Sequence, residues 1–178
     1  DHLDQRGLAG RTVVIFASDN GGYLGEYKGQ RVSNNAPLRS GKGSVYEGGI
    51  RVPLMIRWPG HAPAGRVCDE PVSCVDLAPS LAEFAGLPAD EPTDGLSLAP
   101  LLRDPAGTLP RDALYFHYPH YYATTTPASA VRSEGWKLIE YFEDNRLELY
   151  NLRADPGEAT NLAAQEPGCA GEPGTHLG

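Results

Sequence analysis

Five side chains in this sequence combine a reactive or ligating type with a setting that can use it. Asp19 and Asn20 offer one carboxylate and one amide oxygen, hard donors that suit Ca²⁺ or Mg²⁺. Gly21 and Gly22 follow directly and allow the backbone to approach a bound ion or anion. Ca²⁺ takes about six to eight oxygens, so a metal site here needs partners from far along the chain or outside it. The same Asp-Asn-Gly-Gly string is also a turn sequence. Lys42 stands between two glycines in Ser40-Gly41-Lys42-Gly43-Ser44, where flexible neighbours let an ammonium approach a tetrahedral oxyanion closely. It shares its loop with Lys28, Arg31, Arg39 and Arg51, which also reads as a solvated basic surface. A P-loop is excluded, because G-x-x-x-x-G-K-[ST] is not matched. His117 and His120, within Phe116-His117-Tyr118-Pro119-His120-Tyr121-Tyr122, interleave imidazoles with aromatic rings that can stack on a sugar or an aryl group. The alternative for them is an aromatic sheet edge.

The elements that position these residues follow from period and punctuation. Residues 12–17 are a short β-branched apolar run stopped by Ser18-Asp19-Asn20-Gly21-Gly22, which predicts a strand buried on both faces, of the kind found in parallel sheets. Asp19 and Asn20 would then lie at its carboxyl end, where open α/β sheets place their ligands. Residues 23–49 read as a long polar, glycine-rich loop, and residues 52–58 as a second apolar strand closed by Pro59-Gly60. A helix is expected over 73–86, with Ser73-x-x-Asp76 as a capping pattern, Gly86 as its exit, and Leu77, Leu81, Phe84 and Ala85 on one face. A turn of helix fits Ser97–Leu102. From residue 114 the period becomes two: Leu114–Tyr118, Ala128–Arg132, Trp136–Phe142 and Leu147–Leu152 are short alternating segments. Glu134-Gly135 and Glu143-Asp144-Asn145 punctuate them, which predicts a small antiparallel sheet.

Composition bounds the function. The chain has 178 residues with a formal net charge of −8, which argues against general binding to nucleic acid or anionic membranes. Residues 1–66 carry nine Lys/Arg against five Asp/Glu, and residues 67–178 carry six against eighteen. The basic N-terminal third is where an anionic ligand is expected. No run of 18 apolar residues exists, so no membrane-spanning helix is expected. Cys68, Cys74 and Cys169 show no C-x-x-C spacing and read as ordinary, partly buried thiols. No initiator Met and no signal peptide are seen, which suggests a fragment.

Several strings together carry a resemblance: Ser18-Asp19-Asn20-Gly21-Gly22, Pro37-Leu38-Arg39-Ser40-Gly41-Lys42-Gly43 through Tyr46-Glu47-Gly48-Gly49-Ile50-Arg51-Val52-Pro53, Val72-Ser73-Cys74-Val75-Asp76, Asp94-Gly95-Leu96, Arg132-Ser133-Glu134-Gly135-Trp136-Lys137 and Glu148-Leu149-Tyr150-Asn151-Leu152 through Glu158. In this order they resemble the C-terminal portion of the sulfatases of the arylsulfatase type. The resemblance implies an α/β, alkaline-phosphatase-like fold, with parallel-sheet strands followed by a small antiparallel sheet with a helix. It implies a Ca²⁺-dependent hydrolase of sulfate esters in which Asp19 and Asn20 supply a second pair of metal ligands and Lys42 holds the sulfate. Glu47 and Arg51 match the pattern as residues that hold the loop. The family's formylglycine nucleophile arises in a C/S-x-P-x-R motif, which no cysteine or serine here begins. It is expected upstream, with the first Asp-Asp metal pair.

The reading is therefore the last third of a sulfatase acting on a sulfated carbohydrate or an aryl sulfate ester, with Lys42 catalytic and Lys42, His117 and His120 in contact with substrate. A phosphodiesterase or phosphonate hydrolase of the same superfamily, and a non-catalytic binding remnant, are the alternatives. Residues 1–112 are expected in the large domain, 113–163 in a small antiparallel subdomain, and 164–178 in a loose tail. The sequence leaves localisation open.

Overall fold

The computed structural model describes residues 2–88 and 92–166. In chain order its elements are α1 (His2–Gln5), β1 (Val14–Ala17), β2 (Glu26–Tyr27), β3 (Gln30–Arg31), α2 (Glu47–Ile50), β4 (Leu54–Arg57), α3 (Leu77–Phe84), α4 (Ala99–Arg103), β5 (Leu114–Tyr118), β6 (Ala128–Ser133), β7 (Trp136–Tyr141) and β8 (Leu147–Asn151). Compactness does not follow sequence order. One unit joins the residues up to Ala17 with Pro53–Arg111, and the other joins Ser18–Val52 with the chain from Asp112 onward. Cys169 and the tail beyond residue 166 lie outside the described residues.

In the first unit β1 and β4 pair antiparallel, with Ile15 opposite Ile56 and Phe16 opposite Met55. This corrects the expectation of parallel strands buried on both faces. Among the described residues an apolar run fixed neither the pairing direction nor burial on both faces. Leu54 and Ile56 pack with Val72, Leu77 and Leu96 against the buried Leu98, Leu101 and Leu109. On the other face Phe16 and Met55 are each 59% exposed. Trp58 is buried, its ring stacked on His61 at 4.2 Å and tilted against Phe84 at 4.4 Å.

The helix expected over 73–86 forms as a 3₁₀ turn (Cys74–Asp76) that runs into α3, and Gly86 leaves it with φ +69°. Its buried face differs from the expected one. Ser80 is fully buried, whereas Leu81 is 50% exposed. Polar anchors turn the helix: Ser80 Oγ accepts the Leu98 N–H at 2.8 Å, and Asp76 Oδ1 accepts the Leu96 N–H at 2.8 Å. Asp76 Oδ2 also accepts the Ser73 N–H at 2.8 Å, as the capping pattern predicts, and a nitrogen of Arg111 at 2.9 Å. The second guanidinium nitrogen of Arg111 reaches Oδ1, which makes the pair bidentate. Burial alone would push the Asp76 carboxyl up. Arg111 and the N–H groups of Leu96 and Ser73 outweigh burial and hold it below the usual carboxylate range.

The second unit is built on a four-stranded antiparallel meander, β5-β6-β7-β8, within a residue or so of the alternating segments read from the sequence. Glu134 and Gly135, both with positive φ (49° and 88°), form the two-residue turn between β6 and β7. Alternation puts Ala128, Ala130, Ile139, Tyr141 and Tyr150 on one buried face, packed with Val45, Tyr46 and Leu152. Residues 23–49 are not one structureless loop. They contain the β2–β3 hairpin, whose turn residues Lys28 and Gly29 have φ 52° and 74°, and the short α2. Strands of two residues carry too little period to be read from sequence.

The Asp76–Arg111 pair yields a pH-dependent prediction. Arg111→Met leaves a buried carboxylate unpaired and should lower unfolding stability by roughly 3 kcal/mol near neutral pH, measured by urea denaturation. A carboxyl with a depressed folded pKa contributes stability above its unfolded value, near about 4, and loses it as pH falls through the folded value. The difference between wild type and variant should therefore shrink in strong acid.

Candidate active site

Asp19 is exposed and Asn20 half-buried in the turn after β1, where Ser18 Oγ donates to the Asn20 carbonyl at 2.8 Å. The glycines that follow make close backbone approach possible. The Gly21 N–H donates to the Gly49 carbonyl at 2.8 Å, and a Cβ on Gly21 would lie 1.8 Å from the Gly48 carbonyl oxygen. Asn35 clasps the turn from the far side of the β2–β3 hairpin. Its Oδ1 accepts the Gly22 N–H at 3.1 Å, and its Nδ2 donates to the carbonyls of Gly22 at 2.9 Å and Ser40 at 3.0 Å. The Lys42 N–H then donates to the Gly22 carbonyl at 3.2 Å, and the Gly48 N–H to the Arg39 carbonyl at 2.8 Å. The Asp19-Asn20 turn and the Lys42 loop are thus neighbours, joined by backbone hydrogen bonds. The Lys42 side chain is exposed, and its ammonium has no ion-pair partner among the described residues.

The two histidines part company. His120 touches the edge of Tyr118 at 5.4 Å and leads into a turn that packs on the lysine loop. There Thr124 Oγ1 donates to the Lys42 carbonyl at 2.8 Å, and Tyr122 fills the space beside Gly43, where a Cβ would lie 2.2 Å from its ring. Gly43 has φ +81°, a second reason for glycine at that position. His117 instead holds Ser129 Oγ across the sheet at 2.8 Å through Nδ1, beside Phe142. Its neighbours in β5, Phe116 and Tyr118, point the other way and pack on the core.

Two buried polar groups hold this assembly; of the residues in and beside them, sequence reading gave a loop-holding role to Glu47 and Arg51 alone. Lys137 Nζ, 0% exposed, donates to Glu47 Oε1 at 3.0 Å and Glu158 Oε1 at 2.9 Å. Glu158 Oε2 accepts the backbone N–H of Glu47 at 2.7 Å. Glu47 Oε2 is buried without a hydrogen bond, and Arg51 stands 3.8 Å from it. Burial pushes the Glu158 carboxyl up, partly opposed by Lys137 and by the Glu47 N–H. In the second group Glu148 Oε2 accepts the hydroxyls of Tyr46 at 2.6 Å and Tyr150 at 2.7 Å, and Tyr141 donates to Tyr46 at 3.0 Å. Arg146 pairs with the other oxygen of Glu148. Burial, and then the bond to Glu148, raises the Tyr46 and Tyr150 hydroxyls well above the usual phenol range. Arg39 lies 4.0 Å over the Tyr46 ring and donates to Tyr150 Oη and the Glu158 carbonyl, both at 2.9 Å. Although the residue is exposed, these contacts make it an anchor. A signal for Lys137 did exist, since period two places it on the same face as Ile139 and Tyr141.

A divalent cation fits the Asp19-Asn20 oxygens by donor type, as two ligands of a larger set. Among the described residues no group of three or more His, Cys, Asp or Glu side chains stands ready to hold a metal ion. Cys68 and Cys74 are free thiols as expected, but both are exposed, which corrects the expectation of partial burial.

Comparison with known proteins bears on the family of the chain. Residues 41–169 match the family described as N-sulphoglucosamine sulphohydrolase, C-terminal. A sulfatase of Formosa agariphila is 39% identical over 173 residues, which cover 90% of this chain and 30% of that protein. Human arylsulfatase A is 36% identical over 187 residues, covering 93% of this chain and 36% of the relative. A solved structure of a protein in complex with its substrate D-glucosamine-2-N,6-O-disulfate superposes with a TM-score of 0.75 at 30% identity, over 94% of this chain and 33% of that one. The chain spans about a third of the length of these proteins. With the family matched over most of its length, and with the turn, lysine loop and small sheet in the order the resemblance requires, the chain belongs to the sulfatase family, as its C-terminal portion.

Proposed function

We propose that the protein carrying this chain hydrolyses sulfate esters, with a sulfated carbohydrate as substrate. The observation that carries the reading is the Lys42 ammonium, exposed and without an ion-pair partner among the described residues, on a loop one backbone hydrogen bond from the Asp19-Asn20 turn. A cation carried on that held backbone would bind a sulfate oxygen and take up charge that grows on the bridging oxygen as the S–O bond breaks. It therefore favours the transition state over the ground state. Fixing the loop beforehand spares the reorganisation that a flexible lysine would undergo at each turnover. Asp19 and Asn20 would hold Ca²⁺ together with ligands from outside these residues, and the ion would neutralise sulfate charge. The nucleophile, a formylglycine, belongs outside them too. His120, with Tyr122 beside Gly43, is the better placed of the two histidines to meet the sugar, while His117 serves the sheet through Ser129. The sugar class is supported by the similar protein solved with a sulfated glucosamine.

In the intact enzyme, Lys42→Ala should lower kcat on 4-nitrophenyl sulfate by roughly 10²- to 10³-fold, the scale of losing one charge-stabilising group, with an unchanged unfolding midpoint. Turnover close to wild type would refute the assignment. Asp19→Ala should raise the Ca²⁺ concentration needed for half-maximal activity, read by titrating the ion back into chelator-treated protein. An unshifted titration curve removes Asp19 from the ligand set.

A further inference from the structure

A buried ammonium shared by two buried carboxylates is an expensive way to fill a core, because apolar side chains of equal volume avoid the desolvation. What the charges add is direction. Lys137 and Glu158 together grip Glu47 by its side chain and by its backbone N–H. Glu47 is the first residue of α2, and α2 bonds to both halves of the candidate site: the Gly48 N–H reaches Arg39 O at 2.8 Å, and Gly49 O receives Gly21 N–H at 2.8 Å. One bond therefore leads toward Lys42 and the other toward Asp19-Asn20. Glu158 adds a second hold on the same loop, since its carbonyl accepts Arg39.

We propose that Lys137 is a positioning residue: through Glu47 and α2 it sets the placement of the Lys42 loop against the Asp19-Asn20 turn. The proposal rests on the sulfatase reading for its catalytic consequence and on hydrogen bonds alone for its structural one. Misplacing a reacting group by about 1 Å costs on the order of 10²-fold in rate. A broken grip on α2 displaces the two halves of the site relative to each other without removing either.

The test uses the intact enzyme and 4-nitrophenyl sulfate. Lys137→Met should lower kcat per folded molecule by about 10- to 100-fold, with KM moving much less. Backbone amide exchange in residues 18–24 and 39–50 should speed up, while β5 and β6 keep their protection. Arg111→Met, which breaks a buried pair in the other unit, controls for destabilisation and should leave kcat per folded molecule unchanged. A folded Lys137→Met protein with wild-type kcat and unchanged exchange overturns the proposal. If that variant does not fold, the neutral triple variant Glu47→Gln/Lys137→Met/Glu158→Gln replaces it. Low kcat in a folded triple variant supports the proposal, and wild-type kcat overturns it. If the unsubstituted enzyme leaves sulfate esters intact, the functional reading fails, and the exchange measurements still decide whether Lys137 positions the loops.

Discussion

An ammonium with no access to water must find its hydrogen-bond partners inside the protein, and that requirement organises the second unit of this molecule. Lys137 lies 90 residues from Glu47 and 21 from Glu158, so satisfying it draws the start of α2 and the segment after β8 onto one strand of the sheet. Once those segments meet, Arg39 reaches Tyr150 and the Glu158 carbonyl, and Tyr46 reaches Glu148. The sheet thereby acts as the base plate for a loop with little regular structure of its own. Charge-assisted bonds suit this task, because they fix angle as well as distance in a way that apolar contact does not.

The first unit solves a similar problem by the same means. There a carboxylate replaces the ammonium: Asp76, fully buried, gathers the N–H groups of Ser73 and Leu96 and the guanidinium of Arg111. Both units contain short elements separated by long connections, as expected of a chain with 21 Gly and 16 Pro. Connections of that kind leave backbone groups that no ladder pairs, and each must find a partner when buried. A single buried ionised group with several acceptor or donor positions can satisfy many of them at once. Such hubs also link segments distant in sequence, which short helices and two-residue strands cannot do.

Legibility in the sequence followed the range of the interaction. The strands β5 to β8 were readable nearly to the residue, because alternation and turn residues such as Glu134-Gly135 are local signals. The neighbourhood of Asp19-Asn20 and Lys42 was carried by the ordered motif strings rather than by any local rule. Pairing direction in β1 and β4 was not readable, since the same apolar run serves either orientation. The face of α3 was misread because counting apolar positions favours Leu81, whereas the outcome is set by Ser80 and Asp76 bonding to N–H groups beyond residue 95. Lys137 is the instructive case. Its inward position follows from period two, but its partners lie far away in sequence and no local pattern names them.

The β2–β3 hairpin divides the stretch between Gly22 and Asn35 into two regimes of permissible change. At the base, a Cβ on Gly21 would collide with the Gly48 and Gly49 backbone, so even a methyl group is excluded, and one on Gly22 would displace the Ser33 and Asn35 side chains. At the tip, a Cβ on Gly29 would meet nothing within 4 Å, and Tyr27 is 68% exposed. The base is therefore limited by volume, whereas the tip is limited only by backbone conformation, since Gly29 has φ 74°. A change at the exposed Tyr27 alters what the hairpin presents to solvent, whereas a change at Gly21 alters the turn beneath it.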